Sequence, residues 1–405
     1  MKEDLYIYDI LSDIYKGESY GERALGRSRA KGAFVTRTVY GVLERDTHYE
    51  YVIGKLVQKR PKPYAVILLK MGFYMLDYMD SVPDYAAVNR ILDCAQELGK
   101  GAIKGFLNAV FQRYLKDGVK LPKSPAEKLS VTASVPLWIV NKYISQYGWE
   151  RAEEFLCREP FTKQHIRHNA RRTTHAELGK MLEIAGVGYE DSGLGYFVDW
   201  GEKLYSLFKQ GYMTMQSLTS MKCCRMAEVA DGDNVLDMCS APGGKAIYLG
   251  ELADIKVTCC DIHEHRIELI KAYAGRMGAD NLEYKVCDCA VEPFKPVYDI
   301  VLCDVPCSGL GVAASKPDIY LRRKREDITA LSQKQSAILN NAAGAVKNGG
   351  KLVYSTCTTL KEENFDVVSE FLRTHINFDL EFSNQFLPDG KGEEGFYAAV
   401  LRRKQ

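Results

Sequence analysis

The sequence predicts a multidomain protein in which an all-helical domain and a small α+β domain precede an α/β domain with a doubly wound, mostly parallel sheet. Two observations predict this order. At 405 residues, the chain is longer than most single domains. Apolar residues recur with a helical period through the first third, whereas short apolar runs alternate with helical patterns from Asp233 onward. We place the three domains at residues 1–145, 146–225 and 226–405.

Amphipathic helices account for the first domain. Apolar residues recur at steps of three and four from Ile7 to Ile14 and again from Val35 to Leu43. The segment Tyr64–Tyr78 is apolar on nearly all sides, which predicts a helix buried in the core. This front is mildly basic and the last domain is acidic, although the net charge of the chain is only +1. A basic front fits either a phosphate-contacting surface or a solvated helical face.

The middle segment mixes strand and helix patterns. Residues Ile166–Arg172 predict a strand that runs into a basic turn, and Thr174–Ala185 predict a helix. The stretch Val187–Val198 predicts strands broken by glycine. A small α+β linker domain is therefore expected.

Composition excludes several classes of protein. No apolar run approaches the roughly 18 residues of a membrane span, and the charged start Met1–Asp4 has no apolar signal core. We therefore expect a cytoplasmic protein whose twelve cysteines are thiols. Because the sequence contains no pair of Cys-x-x-Cys units, no metal site is predicted.

Strands and helices alternate in the last domain. Strands are predicted over Asn234–Met238, Lys256–Cys260, Tyr298–Cys303 and Lys351–Ser355. Helices are predicted over Ala246–Ala253, His263–Met277, Arg325–Val346 and Glu362–His375. In such a sheet, ligands bind beyond the carboxyl ends of the strands.

A glycine turn follows the first of these strands. It consists of Cys239, Ser240, Ala241, Pro242, Gly243, Gly244 and Lys245. Two glycines let the backbone approach a ligand, and the helix that follows offers free N–H groups. A plain strand-to-helix turn is the alternative interpretation.

Two carboxylates follow the next two predicted strands. Asp261 ends one strand and is placed to bind ribose hydroxyls, whereas Asp288 ends the strand Glu283–Cys287 and could meet the amine of a base. Either residue alone is more commonly a helix N-cap. A glycine turn and two acids on three successive strands together indicate a nucleoside-type cofactor.

Two cysteines, Cys307 and Cys357, lie at the ends of the last two predicted strands. Both could be buried core thiols. Cytosine C5 is too weak a nucleophile to take a methyl group directly, but addition of a thiolate to C6 activates it. Asp304 could orient the base, and Lys245 could lower a thiol pKa or simply be a surface lysine. This chemistry requires a thiolate and leaves open which cysteine supplies it.

These runs resemble the signature of the RsmB (Sun, Fmu) family of RNA cytosine-C5 methyltransferases. Two further runs share that resemblance: Lys316–Ile319 and Asp389–Ala398. The front resembles the NusB-type helical RNA-binding domain in three runs: Arg37–Leu43, Val82–Asn89 and Leu107–Val110. The expected fold is therefore a NusB-like domain, an α+β linker and a Rossmann-like methyltransferase domain.

The resemblance implies roles that the pattern alone does not assign. It implies S-adenosylmethionine as cofactor, Cys357 as nucleophile and Cys307 as the group that assists release of methylated RNA. It implies a cofactor site at residues 239–245 with Asp261, Asp288 and Asp304. The implied substrate is a cytosine of 16S ribosomal RNA, free or in an early assembly form, and a monomer is expected.

Two residues depart from the family pattern. Val305 replaces the usual alanine, which adds bulk beside the site. Ser217 follows Gln216 where the family usually has aspartate, which puts that position's contact in doubt.

Several alternatives remain open at this point. The same chemistry could act on transfer RNA or 23S ribosomal RNA. The chain could also be a non-catalytic RNA-binding assembly factor with a degenerate methyltransferase fold, or a DNA cytosine methyltransferase. Candidate RNA contacts, with solvated surface as the alternative, are Arg23, Arg27, Arg29, Lys31 and Arg322–Arg325.

Overall fold

The computed structural model describes residues 2–17, 21, 25, 32–158 and 161–405. The chain forms two compact units. The first comprises residues 1–158 together with 316–323, and the second comprises residues 159–315 together with 324–405.

In the described part of the first unit, the secondary structure is helical. Its helices are α1 (Lys2–Tyr15), α2 (Ala33–Glu44), α3 (Asp46–Leu56), α4 (Pro63–Tyr78), α5 (Asp84–Glu97), α6 (Lys104–Asp117), α7 (Pro125–Ala133), α8 (Leu137–Tyr147), α9 (Trp149–Leu156) and, later in the chain, α15 (Asp318–Arg322). Helix α4 is buried from Ala65 to Met75, as its apolar sequence predicts. Its one buried cation, Lys70, forms ion pairs with Asp46 and Glu50, which offset the cost of burying a charge.

The second unit begins with a four-stranded antiparallel sheet. Its strands are β1 (Gln164–His168), β2 (Tyr189–Asp191), β3 (Tyr196–Val198) and β4 (Met213–Met215), in the order β2-β3-β1-β4. Its helices are α10 (His175–Ile184), α11 (Glu202–Lys209) and α12 (Leu218–Arg225). Helix α10 starts at a capping box in which Thr174 and Glu177 satisfy each other's backbone N–H groups.

A seven-stranded sheet forms the rest of the second unit. Its strands are β5 (Asn234–Asp237), β6 (Lys256–Asp261), β7 (Leu282–Val286), β8 (Tyr298–Asp304), β9 (Val346–Thr356), β10 (Phe378–Phe386) and β11 (Phe396–Arg403). Its helices are α13 (Gly244–Leu252), α14 (Glu264–Met277), α16 (Arg325–Ala342) and α17 (Phe365–Thr374). The order is β10-β11-β9-β8-β5-β6-β7, and strands β5 to β9 pair in parallel.

Alternating side chains of this sheet enter two cores. On one face Cys260, Val301 and Tyr354 pack with residues of α16 and α17. On the other face Cys259 and Val353 pack with residues of α13 and α14. Helices therefore cover both faces, which is the doubly wound arrangement that the sequence predicts.

Two sequence predictions differ from the structure here. The helix predicted over Arg325–Val346 ends at Ala342, because Gly344 follows and Val346 already pairs in β9. The antiparallel pair β10 and β11 was not predicted as strands, although the run Phe396–Leu401 is apolar and buried. Among the described residues, no helix is long and apolar enough to cross a membrane.

Candidate active site

The glycine turn joins β5 to α13 at the carboxyl edge of the large sheet. The Gly243 N–H donates to the carbonyl of Ser240 (2.7 Å), which closes the turn. Gly243 has φ +107°, and a β-carbon there would lie 3.0 Å from Ile270, so the position requires glycine. The first N–H groups of α13 have no partner within the helix, and they therefore offer donors to an anionic or polar ligand.

Asp261 ends the neighbouring strand β6, as predicted. Its carboxylate is buried; one oxygen accepts from the His263 N–H (3.2 Å) and the other pairs with Arg266 (3.1 Å). Arg266 also donates to the carbonyl of Ala241 (3.2 Å). This arginine, which the sequence analysis missed, therefore ties the end of β6 to the glycine turn. Its only sequence signal is its position one turn into the helix that follows Asp261.

Asp288 lies two residues beyond the end of β7. Its Oδ1 accepts from the Ala290 N–H (3.0 Å), and the side chain is half-buried. Because β5, β6 and β7 are parallel neighbours, the glycine turn, Asp261 and Asp288 lie along one edge of the sheet. The predicted cofactor residues are therefore brought together on three adjacent strands.

Lys245 and Asp304 form an ion pair at the same edge. Lys245 Nζ lies 2.6 Å from Asp304 Oδ2, and Ser355 Oγ donates to Asp304 Oδ1 (2.8 Å). Burial lowers the pKa of Lys245, but the Asp304 carboxylate outweighs it and the net pKa is raised. The Lys245 side chain is 14% exposed, so it is not a plain surface lysine. It also lies over the Phe396 ring, 5.4 Å from the centroid.

The two strand-end cysteines lie side by side. Cys307 Sγ and Cys357 Sγ are 3.1 Å apart, and both residues are partly exposed. The hydrogen bond to Cys357 and then burial raise the pKa of Cys307 well above its ordinary value. Either sulfur can be the donor of this contact.

A buried polar network supports the loops that carry the two sulfurs. Glu363 Oε1 accepts from the Ser308 N–H (2.7 Å) and from Gln335 Nε2 (2.9 Å). Burial raises the pKa of this carboxyl. Ser308 Oγ also donates to Thr358 Oγ1 (2.9 Å), which links the residues that follow the two cysteines. The sequence analysis did not single out these residues, because their hydrogen bonds join segments about 50 positions apart.

Two glycines, Gly311 and Gly395, allow backbone segments beside Cys357 to pack in direct contact. The Gly311 N–H donates to the carbonyl of Cys357 (3.1 Å), and the Gly395 N–H donates to the carbonyl of Gly311 (2.8 Å). A β-carbon on Gly311 would lie 1.9 Å from Gly395 O. The tail segment that contains Gly395 therefore contacts the loop beside Cys357.

The two departures from the family pattern have structural explanations. Ser217 is the N-cap of α12, and its Oγ accepts from the Ser220 N–H (3.2 Å), a role that aspartate fills equally well. Gln216 Oε1 accepts from buried Arg167 Nε (2.7 Å). Val305 is 4% exposed and packs in the core on the α16 face, so its bulk enters that core.

The predicted RNA contacts are only partly described. Arg23, Arg27, Arg29 and Lys31 lie outside the described residues. Of the run 322–325, Arg322 and Arg323 belong to the first unit, and Lys324 and Arg325 belong to the second.

Comparisons with known proteins match both parts of the chain. The family model for 16S rRNA methyltransferase RsmB/F matches residues 225–402, and the NusB family model matches residues 6–116. The probable ribosomal RNA small subunit methyltransferase B of Bacillus subtilis (strain 168) is 32% identical, over 91% of this chain and 90% of that protein. The ribosomal RNA small subunit methyltransferase B of Salmonella dublin is 31% identical, over 92% and 90%.

Solved structures share the fold. The crystal structure of PH0851 aligns with a TM-score of 0.85 over 98% of both chains, at 23% identity. The structure of NSun6 from Pyrococcus horikoshii with SFG aligns with a TM-score of 0.60 over 67% of this chain and 98% of that one, at 22% identity.

The doubly wound sheet, with its glycine turn and strand-end acids, defines a Rossmann-like methyltransferase that follows a NusB-type helical domain. The predicted fold class is thereby confirmed. With relatives above 30% identity along nearly its whole length, the chain belongs to the ribosomal RNA small subunit methyltransferase B family, whose members are S-adenosylmethionine-dependent rRNA methyltransferases. This membership confirms the resemblance seen in the sequence.

Proposed function

We propose that this protein transfers a methyl group from S-adenosylmethionine to C5 of a cytosine in 16S ribosomal RNA, through a covalent adduct between Cys357 and C6 of the base. The observation that carries this proposal is the pair of sulfurs, Cys307 and Cys357, 3.1 Å apart at the carboxyl edge of the sheet. Methyl transfer to a nitrogen or oxygen needs no thiol, whereas transfer to C5 needs a sulfur nucleophile.

The family resemblance implies the two roles, with Cys357 as the thiolate nucleophile that adds to C6 and Cys307 as the release group. The 3.1 Å distance between the two sulfurs supports this division, because both roles require a sulfur beside the same base. After addition, C5 is nucleophilic. C5 then takes the methyl group as the methyl–sulfonium bond breaks. A base removes the C5 proton, the C6–S bond breaks and Cys357 leaves as a thiolate. Cys307 is adjacent to the departing sulfur and is the group that assists this release.

The cofactor residues fit a nucleoside sulfonium. The Gly243–Gly244 turn permits close approach of a ligand, and the N–H groups at the start of α13 are available donors. Asp261 is positioned for ribose hydroxyls, and Asp288 for a base amine. When bound, S-adenosylmethionine supplies an electrophilic methyl group. The turn from Cys239 to Lys245, with Asp261, Asp288 and Asp304, would hold it.

Asp304 and Lys245 position the reacting base. Asp304 is held at both oxygens, by Lys245 and Ser355, and its side chain remains 27% exposed. A carboxylate fixed in this way can accept a hydrogen bond from the exocyclic amine of cytosine, which distinguishes cytosine from uracil. Lys245 keeps Asp304 in place through their ion pair.

We also propose that a cytoplasmic monomer acts on 16S RNA before or early in subunit assembly. In this proposal, residues 1–145 bind RNA, residues 146–225 connect the two other segments, and residues 226–405 catalyse the transfer. The match of the NusB family model to the first segment and the candidate site in the last segment support this division. Transfer RNA and 23S RNA serve as the competing substrates in any assay.

Two cysteine variants test the proposal with unmodified 16S RNA and labelled S-adenosylmethionine. We expect Cys357→Ala to abolish methylation and to form no adduct. We expect Cys307→Ala to accumulate a protein–RNA complex that survives denaturing electrophoresis, because addition proceeds and release stalls. Cys303→Ala is the matched control, since that buried sulfur lies in β8 and contacts Met238.

The outcomes are distinct. Exchange of the two phenotypes would reverse the assignment of nucleophile and release group. Methylation that persists in both Cys357→Ala and Cys307→Ala would rule out the covalent route. A wild-type protein that binds no S-adenosylmethionine would favour the non-catalytic assembly factor.

A further inference from the structure

Three buried cysteines outside the sulfur pair converge on one point. Cys260 lies in β6, and Cys287 and Cys289 lie in the segment after β7. Their sulfurs all lie within 4.8 Å of one another, and Cys287 Sγ and Cys289 Sγ are 3.6 Å apart. Each residue is at most 5% exposed. No step of the proposed methyl transfer uses them.

The fold explains how these thiols meet. Strands β6 and β7 are parallel neighbours in which Cys260 pairs with Lys285, and the Cys287 N–H donates to the carbonyl of Asp261 (3.0 Å). Asn341 of α16 donates to the carbonyls of Cys289 and Glu292 (2.8 and 2.7 Å). These hydrogen bonds bring the two cysteines of the segment next to Cys260.

The distances between the sulfurs of the cluster suit a metal ion. Zinc–thiolate bonds of about 2.3 Å in a tetrahedral site put the sulfurs about 3.8 Å apart, close to the 3.6 Å between Cys287 and Cys289. The three buried sulfurs are therefore already close to the positions that a thiolate-bound ion requires.

We propose that Cys260, Cys287 and Cys289 form a three-thiolate site for a thiophilic divalent metal ion, with zinc as the ion that fits best. A divalent ion leaves the buried cluster with a net charge of −1, whereas a monovalent copper ion would leave −2 at greater cost of burial. Among the described residues, no fourth His, Cys, Asp or Glu joins the group, so water or a backbone carbonyl completes the shell.

The site has a consequence for cofactor binding, and this consequence rests on the proposed function. Asp261 directly follows Cys260, and Asp288 lies between Cys287 and Cys289. A metal ion bound by the three thiolates would cross-link the ends of β6 and β7 and fix both carboxylates. The bound ion would thereby position Asp261 and Asp288 for the nucleoside end of the cofactor.

The test measures metal on the purified full-length protein before any activity. We expect about one equivalent of zinc by mass spectrometry, and a thiolate-to-metal charge-transfer band when the zinc-free protein is titrated with Co²⁺. Cys287→Ser and Cys289→Ser should lose both signals. Cys259→Ala is the matched control, because this neighbouring cysteine is equally buried but packs on the opposite face of the sheet.

A second measurement keeps the test decisive if a variant fails to fold. In the wild-type protein, zinc should slow alkylation of these three cysteines, identified by peptide mapping, and leave Cys303 unchanged. A folded wild-type protein without zinc uptake or cobalt band would overturn the proposal. A native disulfide among the three cysteines, or an unaltered band in Cys289→Ser, would do the same.

The cofactor consequence is measured separately. Removal of zinc should weaken S-adenosylmethionine binding roughly fivefold or more, and an unchanged Kd would refute the positioning role. A zinc-loaded protein that binds no S-adenosylmethionine would refute the proposed function and leave the metal site standing. A protein that takes up no zinc but methylates normally would refute the metal site and leave the proposed function standing.

Discussion

Gly311→Ala is the substitution that most directly tests how the site is held together. Gly311 lies in the short 3₁₀ turn Leu310–Val312, between the loop of Cys357 and the tail at Gly395. A new β-carbon would lie 1.9 Å from the carbonyl oxygen of Gly395, and both partners are backbone, so one segment must move.

The expected cost follows from what must move. Overpacking of this kind costs about 1–3 kcal/mol. If the hydrogen bonds to Cys357 and from Gly395 are weakened as well, about 1 kcal/mol is lost for each. We therefore expect a loss of roughly 3–5 kcal/mol in the free energy of unfolding. Turnover should fall further, because the Gly311 N–H also donates to the carbonyl of Cys357, the proposed nucleophile.

Urea denaturation and single-turnover methylation of 16S RNA provide the two measurements. Gly275→Ala is the control, since this exposed glycine of α14 has no atom within 4 Å of a new β-carbon. Alanine there should raise stability by up to about 1 kcal/mol. If Gly311→Ala unfolded and turned over like the wild type, the close approach of the two loops would have no role in holding the site.

Two other predictions concern stability. Ser217→Ala should lower the free energy of unfolding by about 1 kcal/mol, because α12 loses its N-cap, whereas Ser217→Asp should unfold like the wild type; equal urea midpoints for the Ala and Asp variants would contradict the capping role. Burial raises the pKa of Asp237 to about 7, so the folded protein keeps a proton that the unfolded chain loses near pH 4. Stability from this group should therefore be complete below about pH 4, fall by at most roughly 4 kcal/mol as the pH rises to 7, and then level off. Asp237→Asn should remove that decline, and parallel pH profiles of thermal unfolding for the two proteins would refute this.

The sequence alone determined the fold class and the edge of the sheet that carries the site. Buried strands alternating with helices force a parallel sheet, and the carboxyl ends of parallel strands share one edge, so the glycine turn, Asp261 and Cys357 could be placed together from order alone. The strands β10 and β11 were missed because they form an antiparallel pair that no helix separates along the chain.

Only the tertiary structure decided which groups face each other. The sequence left Cys307 and Cys357 as equal candidates, because a thiol's proton depends on what lies within hydrogen-bonding distance. Only the folded structure shows that the two sulfurs lie 3.1 Å apart. Similarly, no spacing rule predicts a cluster of Cys260, Cys287 and Cys289, since two neighbouring strands supply its members. Local sequence sets the strands and turns, whereas polarity and close contact arise only when distant segments pack.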